Sequence, residues 1–377
     1  MKHKFRMIVG MMILAIPLCM NAQENKELND LKEKVDRMPK ISGFVQGMYQ
    51  ADLSYDGTLL DNTLRMRRVR LSVDGTLFKG LTYKIQGDFS RSPMLVDAYV
   101  KYKPCREFAI QLGQFKLPFT IENPINPLNL EIFDYGESVQ QLVGYKDVCG
   151  VGALGRDLGL MASGSLFHVK DEYSIVDYAI GVFNGNGANA LDNNNRKDIV
   201  GRLEVHPGLK NLTLSGSYYY GLYRNTTVED QIEANGIAGG KIVFPNGVRN
   251  RWSAGAQYND GKLVIRGEYI SGQTGCKIGG LDEHGNELII DDILISKGYY
   301  AIAGYNFAIG KNKSQKLMPV LRYEHYAKTV ISGTEWYTVG INYWPLKSLN
   351  FKFDYSLIMT GSDIDGHRMV GILSYKF

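Results

Sequence analysis

From Ile41 to the last residue, apolar and polar side chains alternate with a period of two, broken at intervals by glycine, proline and asparagine. Val69, Leu71 and Val73 alternate with Arg70, Ser72 and Asp74, and Leu349, Phe351, Phe353, Tyr355 and Leu357 with Asn350, Lys352, Asp354 and Ser356. Successive side chains of a strand point to opposite faces, so each window predicts a strand with one apolar and one polar face. Comparable windows recur near 44–53, 81–89, 95–103, 107–116, 157–167, 174–184, 197–206, 212–220, 250–259, 262–271, 298–308, 317–327, 335–344 and 368–377. That makes about sixteen strands, an even number that lets an antiparallel barrel close with both ends on one side.

Connector lengths carry a second pattern. After even-numbered strands they are short: 76–80, 104–106, 206–211, 260–261 and 345–348. After odd-numbered strands several are long: 117–156, 185–196, 224–249 and 272–297. Short turns on one side and long loops on the other are the asymmetry of a barrel in the bacterial outer membrane, and a sandwich or propeller has no need of it. In the last strand, Met369, Leu373, Tyr375 and the terminal Phe377 share the parity of Gly371, against Arg368, Ser374 and Lys376. An apolar face ending in an aromatic suits a lipid boundary. The terminal Phe also resembles the C-terminal signature by which the bacterial insertion machinery recognises its clients. The predicted fold is all-β, a transmembrane antiparallel β-barrel over residues 41–377.

The first forty residues follow other rules. Lys2, Lys4 and Arg6 precede the apolar run Met7–Met20, and Ala22 then meets Gln23-Glu24-Asn25. This predicts a secretory signal peptide over 1–22, too short to span comfortably as a helix. Leu28, Leu31, Val35 and Met38 recur at helical spacing over 23–40, which predicts a short periplasmic amphipathic helix or linker, either a small coiled coil that assists assembly or a plain spacer.

Composition changes this picture little. Mean hydropathy is slightly negative, which in a porin-like barrel only reflects that half of each strand faces water. The 24 Tyr and 42 Gly suit interfacial belts and turns. Against 39 acidic residues, the 43 Lys and Arg shrink to a near-neutral balance once the three of the signal segment are removed, so net charge names no partner. Cys105, Cys149 and Cys276 form no metal or disulfide pattern.

The segments Gly113-Gln114-Phe115-Lys116-Leu117-Pro118-Phe119-Thr120-Ile121-Glu122 and Gly155-Arg156-Asp157-Leu158-Gly159-Leu160, with the Arg-Arg-x-Arg core of 64–75, resemble the porin O and porin P family of phosphate-selective porins. The resemblance spans nearly the whole mature chain. It implies a sixteen-stranded, homotrimeric outer-membrane channel, without fixing phosphate as the solute; no cofactor motif appears in the chain, neither a Gly-rich phosphate loop nor metal-spaced Cys or His.

The candidate site lies around the third outer loop, 117–156, which is long enough to be functional. Such a loop either folds into the barrel and narrows it or caps the mouth. Arg68 and Arg70 share the inward parity of Ser72. Arg65 and Arg67 share that of Val69, which would set them at the outer rim above the lipid band. The four would raise local anion concentration and offer bidentate contacts to phosphate or carboxylate, or else form a lipopolysaccharide-binding or structural cluster. Lys116 is a candidate anion contact, or a lumenal salt bridge to Glu122. The loop acids Glu122, Glu131, Asp134 and Glu137 would face the arginine wall and set up a transverse field. Inward pairs Arg202/Glu204, Arg266/Glu268, Arg322/Glu324 and Lys352/Asp354 would brace the wall.

These features predict a passive diffusion channel for small hydrophilic solutes, with a preference for anions such as phosphate as the sharper form of the same expectation. Its partners would be outer-membrane lipids and lipopolysaccharide, the permeating solutes and two further copies of the chain. The alternative is a non-conducting barrel that anchors a surface complex through the loops 224–249 and 272–297. A barrel enzyme finds no support, since His168, His206, His284, His325 and His367 sit in no nucleophile motif. The acidic run 282–287 lacks calcium-loop spacing, so no metal site is predicted. No basic stripe with stacking aromatics suggests nucleic acid.

Overall fold

A computed structural model describes residues 38–150, 154–170, 172–209, 211–224, 229–231, 241–243, 246–281, 287–329 and 331–377. The signal segment 1–22, the amphipathic segment 23–40 except its last three residues, and residues 282–286 of the acidic run lie outside them.

Nineteen strands follow one another. They are β1 (Lys40–Ser54), β2 (Leu59–Phe78), β3 (Leu81–Asp88), β4 (Leu95–Tyr102), β5 (Ala109–Lys116), β6 (Arg156–Val169), β7 (Tyr173–Phe183), β8 (Asp198–Val205), β9 (Leu212–Arg224), β10 (Glu229–Gln231), β11 (Lys241–Val243), β12 (Asn246–Asn259), β13 (Leu263–Leu281), β14 (Glu287–Tyr305), β15 (Phe307–Ile309), β16 (Gln315–Lys328), β17 (Ile331–Leu346), β18 (Leu349–Thr360) and β19 (Asp363–Lys376). The short β10, β11 and β15 supplement a wall of sixteen antiparallel strands. β19 returns to β1 in a continuous register from Phe44↔Lys376 to Ser54↔Gly366, so the sixteen-strand wall closes on itself.

The period-two pattern becomes a barrel turned inside out relative to a water-soluble one. Leu71, Ile85, Leu112, Leu160, Leu321, Val339 and Phe353 are exposed on the outside, whereas Arg70, Gln86, Gln111, Arg322 and Asp354 are buried inside. Only lipid makes that arrangement favourable. Aromatic pairs flank the apolar belt. Phe78–Tyr102, Tyr305–Phe307 and Tyr375–Phe377 lie at the end with short turns, and Trp252–Tyr269 and Tyr299–Tyr323–Tyr337 lie towards the other.

The segment 272–297, predicted as a loop, is largely strand. β13 and β14 stay paired from Gly272↔Ser296 to Leu281↔Glu287, across most of the segment 272–297. Interstrand hydrogen bonds alone carry the hairpin on, so it extends past the window in which apolar and polar positions alternate strictly. Within 224–249, β10 and β11 pair with each other and β11 with β13.

The third loop does not cap the mouth. Its Leu117, Phe119, Leu130, Ile132, Val139, Leu142 and Val148 pack with Phe183, Val200, Tyr219, Ile270, Leu294, Tyr300 and Ile302 of the wall in one buried cluster inside the barrel. The loop contains a single 3-10 turn at Pro127–Asn129 and, further on, a short α-helix, α1 (Glu137–Val143), which Gly144 stops with a left-handed φ of 93°.

Candidate functional site

The loop leaves β5 through a backbone that only glycine tolerates. Gly113 has φ 133°, and a Cβ there would run into the Ala98 carbonyl oxygen and lie 2.6 Å from the Tyr99 Cα. The loop's two ends are stitched together: Leu117 N donates to the Gly155 carbonyl at 3.0 Å, and the Asn123 amide donates to the Leu117 and Gly155 carbonyls at 2.9 and 3.1 Å. Lys116 completes the base. Its Nζ donates to the Asn123 and Ile125 carbonyls, both at 2.6 Å, and to the Tyr135 hydroxyl at 2.7 Å. Its three N–H groups are thereby used within the protein, so it is a brace rather than a free cation, and it makes no salt bridge to Glu122.

Further on, the loop crosses to the far wall. Thr120 N donates to Ser217 Oγ at 3.0 Å and Ile121 N to Glu268 at 2.9 Å. Glu122 meets Arg322 at 2.7 Å and Arg266 at 3.5 Å, and accepts from Gly136 N at 2.7 Å. Glu131 meets Arg266 at 2.5 Å, Lys352 donates to the Leu130 and Ile132 carbonyls, and Asp147 meets Arg251 at 2.6 Å. Burial alone would push the Glu122 and Asp147 carboxyls up, but the facing guanidiniums outweigh it and hold both below the ordinary carboxylate range. Cys149, buried beside Asp147, has its thiol pushed up to about 12, which keeps it protonated and unreactive.

The expected wall braces are only half present. Arg202–Glu204 (3.6 Å) and Arg322–Glu324 (2.8 Å) form. Arg266 and Lys352 instead reach for the loop, because its carboxylates and carbonyls come closer than their strand neighbours.

The arginine wall differs from the sequence expectation at two positions. Gln46 pairs with Arg68 but Gly47 with Met66, so a β-bulge leaves Arg67 without a partner and reverses the parity above it. Arg65 then stands opposite Met48, which is 1% exposed on the lumen side. Arg65 and Arg67 therefore turn inward and do not sit on the lipid rim. Arg67 meets Asp134 at 2.7 Å, hydrogen-bonds the Phe133 carbonyl and lies over the Phe133 ring. Arg68 reaches Asp134 at 3.5 Å and Gln46 at 3.1 Å. Below them Arg70 pairs with Asp88 at 3.0 Å, joined by Arg91, and Arg156 pairs with Asp97 at 2.7 Å.

Of the four candidate loop acids, only Asp134 meets this wall. Glu122 and Glu131 bind the opposite side, and Glu137 accepts from Gln141 at 2.6 Å and faces the space above the loop. Sequence reasoning did not single out Arg91, Asp88 or Asp97. Only strand pairing, such as Arg70↔Asp88 and Lys116↔Arg156, brings them together.

Open space remains on both sides of the loop. Towards the long loops lies a cavity of about 330 Å³ with Arg65, Asp134, Glu137, Lys146 and Arg368 among its lining. Towards the short turns lie one of about 310 Å³ beside Lys84, Lys347 and Lys376, and one of about 980 Å³ beside Lys262, Lys313 and Lys316. Among the described residues no group of three His, Cys, Asp or Glu side chains could hold a metal ion.

No curated protein matches the sequence. Solved structures do match its shape. The anion-selective porin from Comamonas acidovorans superposes with a TM-score of 0.59 at 15% identity, over 90% of this chain and 99% of that one. The outer membrane channel DcaP of Acinetobacter baumannii gives 0.58 at 12% identity, over 90% and 97%. Salmonella typhi OmpF in complex with daunomycin gives 0.58 at 12% identity, over 91% and 99%. At such identities these likenesses establish the porin fold. The family described as phosphate-selective porin O and P matches residues 40–362, nearly all of the barrel. A closed barrel with an apolar outer belt, a loop drawn into its lumen and that match together make this chain a channel of the bacterial outer membrane, a member of the phosphate-selective porin O and P family.

Proposed function

We propose that the chain is a passive diffusion channel for small hydrophilic solutes with a modest preference for anions such as phosphate. One observation carries this reading: the bulge in β2 turns Arg65 and Arg67 inward beside Arg68 and Arg70, and Asp134 is the one loop carboxylate paired with them. With Arg91 and Arg156, six guanidiniums gather near three carboxylates, Asp134, Asp88 and Asp97. A surplus of guanidinium raises the local anion concentration and presents planar donors to phosphate or carboxylate. Because most of these arginines already have a carboxylate partner, the preference is modest. Lys116 serves it indirectly, by holding the loop in place.

No catalysis is assigned to the lumen, where most acids and bases bind one another as struts. Assembly as a homotrimer within outer-membrane lipid and lipopolysaccharide belongs to the same proposal. The matching OmpT of Vibrio cholerae is described in a trimer form, and native mass measurement in detergent tests whether this chain does the same. A non-conducting anchor fits less well, because space remains open on both sides of the loop.

The test is current through the refolded protein in a planar bilayer under a KCl gradient. The expected result is discrete steps with an anion-favouring reversal potential, which falls when Arg68 or Arg70 becomes Ala. Steps that favour cations, or a folded barrel without conductance, would overturn it.

A further inference from the structure

The cavity on the outer side of the loop holds charges of both signs, and most of them are spent on one another. Asp134 serves Arg67 and Arg68, Glu324 serves Arg322, and Arg368 pairs with Asp52 at 2.6 Å. Three charged side chains that line the cavity are different. Arg65, Lys146 and Glu137 have no ion-pair partner within 4.0 Å among the described residues. Glu137 has one oxygen occupied by Gln141 and the other available. Phe133, Tyr135 and Trp336 add apolar and aromatic surface to the same walls.

Such a site discriminates by charge pattern. An inorganic anion could engage Arg65 and Lys146 but would face the Glu137 carboxylate. A simple cation could engage Glu137 but would face two positive groups. A solute with a carboxylate at one end and an ammonium at the other satisfies all three, its carboxylate in the guanidinium fork and its ammonium on Glu137. The volume, about 330 Å³, lies near the lower end of ligand pockets, roughly 300–1,000 Å³, and so fits an amino acid or a dipeptide. We propose that the outer cavity is a transient binding site for zwitterionic solutes, free amino acids and short peptides, through which they enter the channel. This rests on the channel reading above and names the solute class for its outer mouth.

Trp336 lines the cavity, and the other two tryptophans, Trp252 and Trp344, are elsewhere in the wall. In full-length refolded protein carrying Trp252→Phe and Trp344→Phe, fluorescence therefore reports on this site. The probes are glycylglycine, N-acetylglycine, which has only the carboxylate, and glycinamide, which has only the ammonium. Glycylglycine is expected to give a saturable change at about tenfold lower concentration than either analogue, one charge-assisted contact being of that order. Glu137→Gln is expected to erase its advantage over N-acetylglycine, and Arg65→Gln to weaken both. Equal responses to glycylglycine and N-acetylglycine, or a preference that survives Glu137→Gln, would overturn the proposal. Bilayer current on the same preparation separates the two readings. Conductance without discrimination removes this site and leaves the channel, whereas discrimination without conductance keeps the site and removes the channel.

Discussion

Glu122 and Arg322 are 200 residues apart in the chain, and their side chains meet at 2.7 Å in the barrel interior. With Arg266 on the same carboxylate, this contact fastens the first turn of the third loop to the wall opposite its point of departure. Removing one partner of a buried pair strands the other charge, at a cost of about 3–5 kcal/mol. Glu122→Gln is therefore expected to lower the thermal stability of the folded barrel and to let the loop swing. Single-channel conductance should rise and become noisier. The clamp should also resist acid. Glu122 titrates below its ordinary value, so its contribution is complete above the unfolded carboxylate pKa of about 4.3 and is lost only as pH falls through the lower folded value. The excess conductance of Glu122→Gln over the native protein should therefore stay constant between about pH 7 and pH 5; a difference that closes in that window would show that the Glu122 carboxylate itself titrates there and overturn the clamp's acid resistance.

Asp134 is the carboxylate that most directly moderates the arginine wall. Burial pushes it up, but Arg67 and Arg68 outweigh that and hold it ionised. Asp134→Asn should expose both guanidiniums and shift the reversal potential further towards anions, by a few-fold in permeability ratio. Replacing Arg67 with Ala should shift it the other way. The effect should shrink in concentrated salt, since a Debye length of about 3 Å at 1 M screens charges that face water.

Almost all of the barrel was legible in the chain, because lipid outside and water inside impose a period-two pattern that needs no partner to be recognised. The site was less so. Arg65 and Arg67 carry the outward parity in the sequence and turn inward in the barrel because parity propagates along a strand only until a bulge, and nothing in Leu64–Val69 marks the skipped residue. The partners of Glu122 and Glu131 were illegible for another reason. Arg322 and Arg266 carry acidic neighbours two residues on, so local spacing suggested wall braces, while the loop, folded across the lumen, offered closer carboxylates. The segment 272–297 reads as a loop because Gly272-Gln273-Thr274-Gly275 and the acidic run interrupt the alternation, and the backbone ladder that carries the hairpin on leaves no period of its own in the sequence.

Lys116 invites a test that separates contact from support. If it met solutes directly, Lys116→Arg would keep the charge and the selectivity. With its donors on Asn123, Ile125 and Tyr135, the longer planar guanidinium cannot reproduce that three-way bond. Lys116→Arg and Lys116→Met are therefore both expected to destabilise the loop base and raise current noise. The reversal potential should shift much less than in Arg68→Ala. Unaltered gating in Lys116→Arg together with a selectivity loss in Lys116→Met would restore it as an anion contact.

The barrel's seam offers the last test. Gly43 and the terminal Phe377 exchange backbone hydrogen bonds, N–H to carbonyl in each direction, at 3.1 and 3.0 Å. The Phe377 ring lies over the glycine, where a Cβ would come within 2.6 Å of it. Absence of a side chain at 43 is thus what seats the terminal aromatic against β1 and completes closure. Gly43→Val and deletion of Phe377 should each reduce the yield of compact, heat-modifiable barrel on refolding into detergent. The two changes share the ring contact but not the Arg70 carbonyl, which a Cβ at 43 would meet at 2.5 Å, so they should add only in part: in the deletion background Gly43→Val keeps the cost of the carbonyl and loses that of the ring. Full additivity would mean that Gly43 matters for the Arg70 carbonyl alone, and that the terminal ring contributes to folding by some other route.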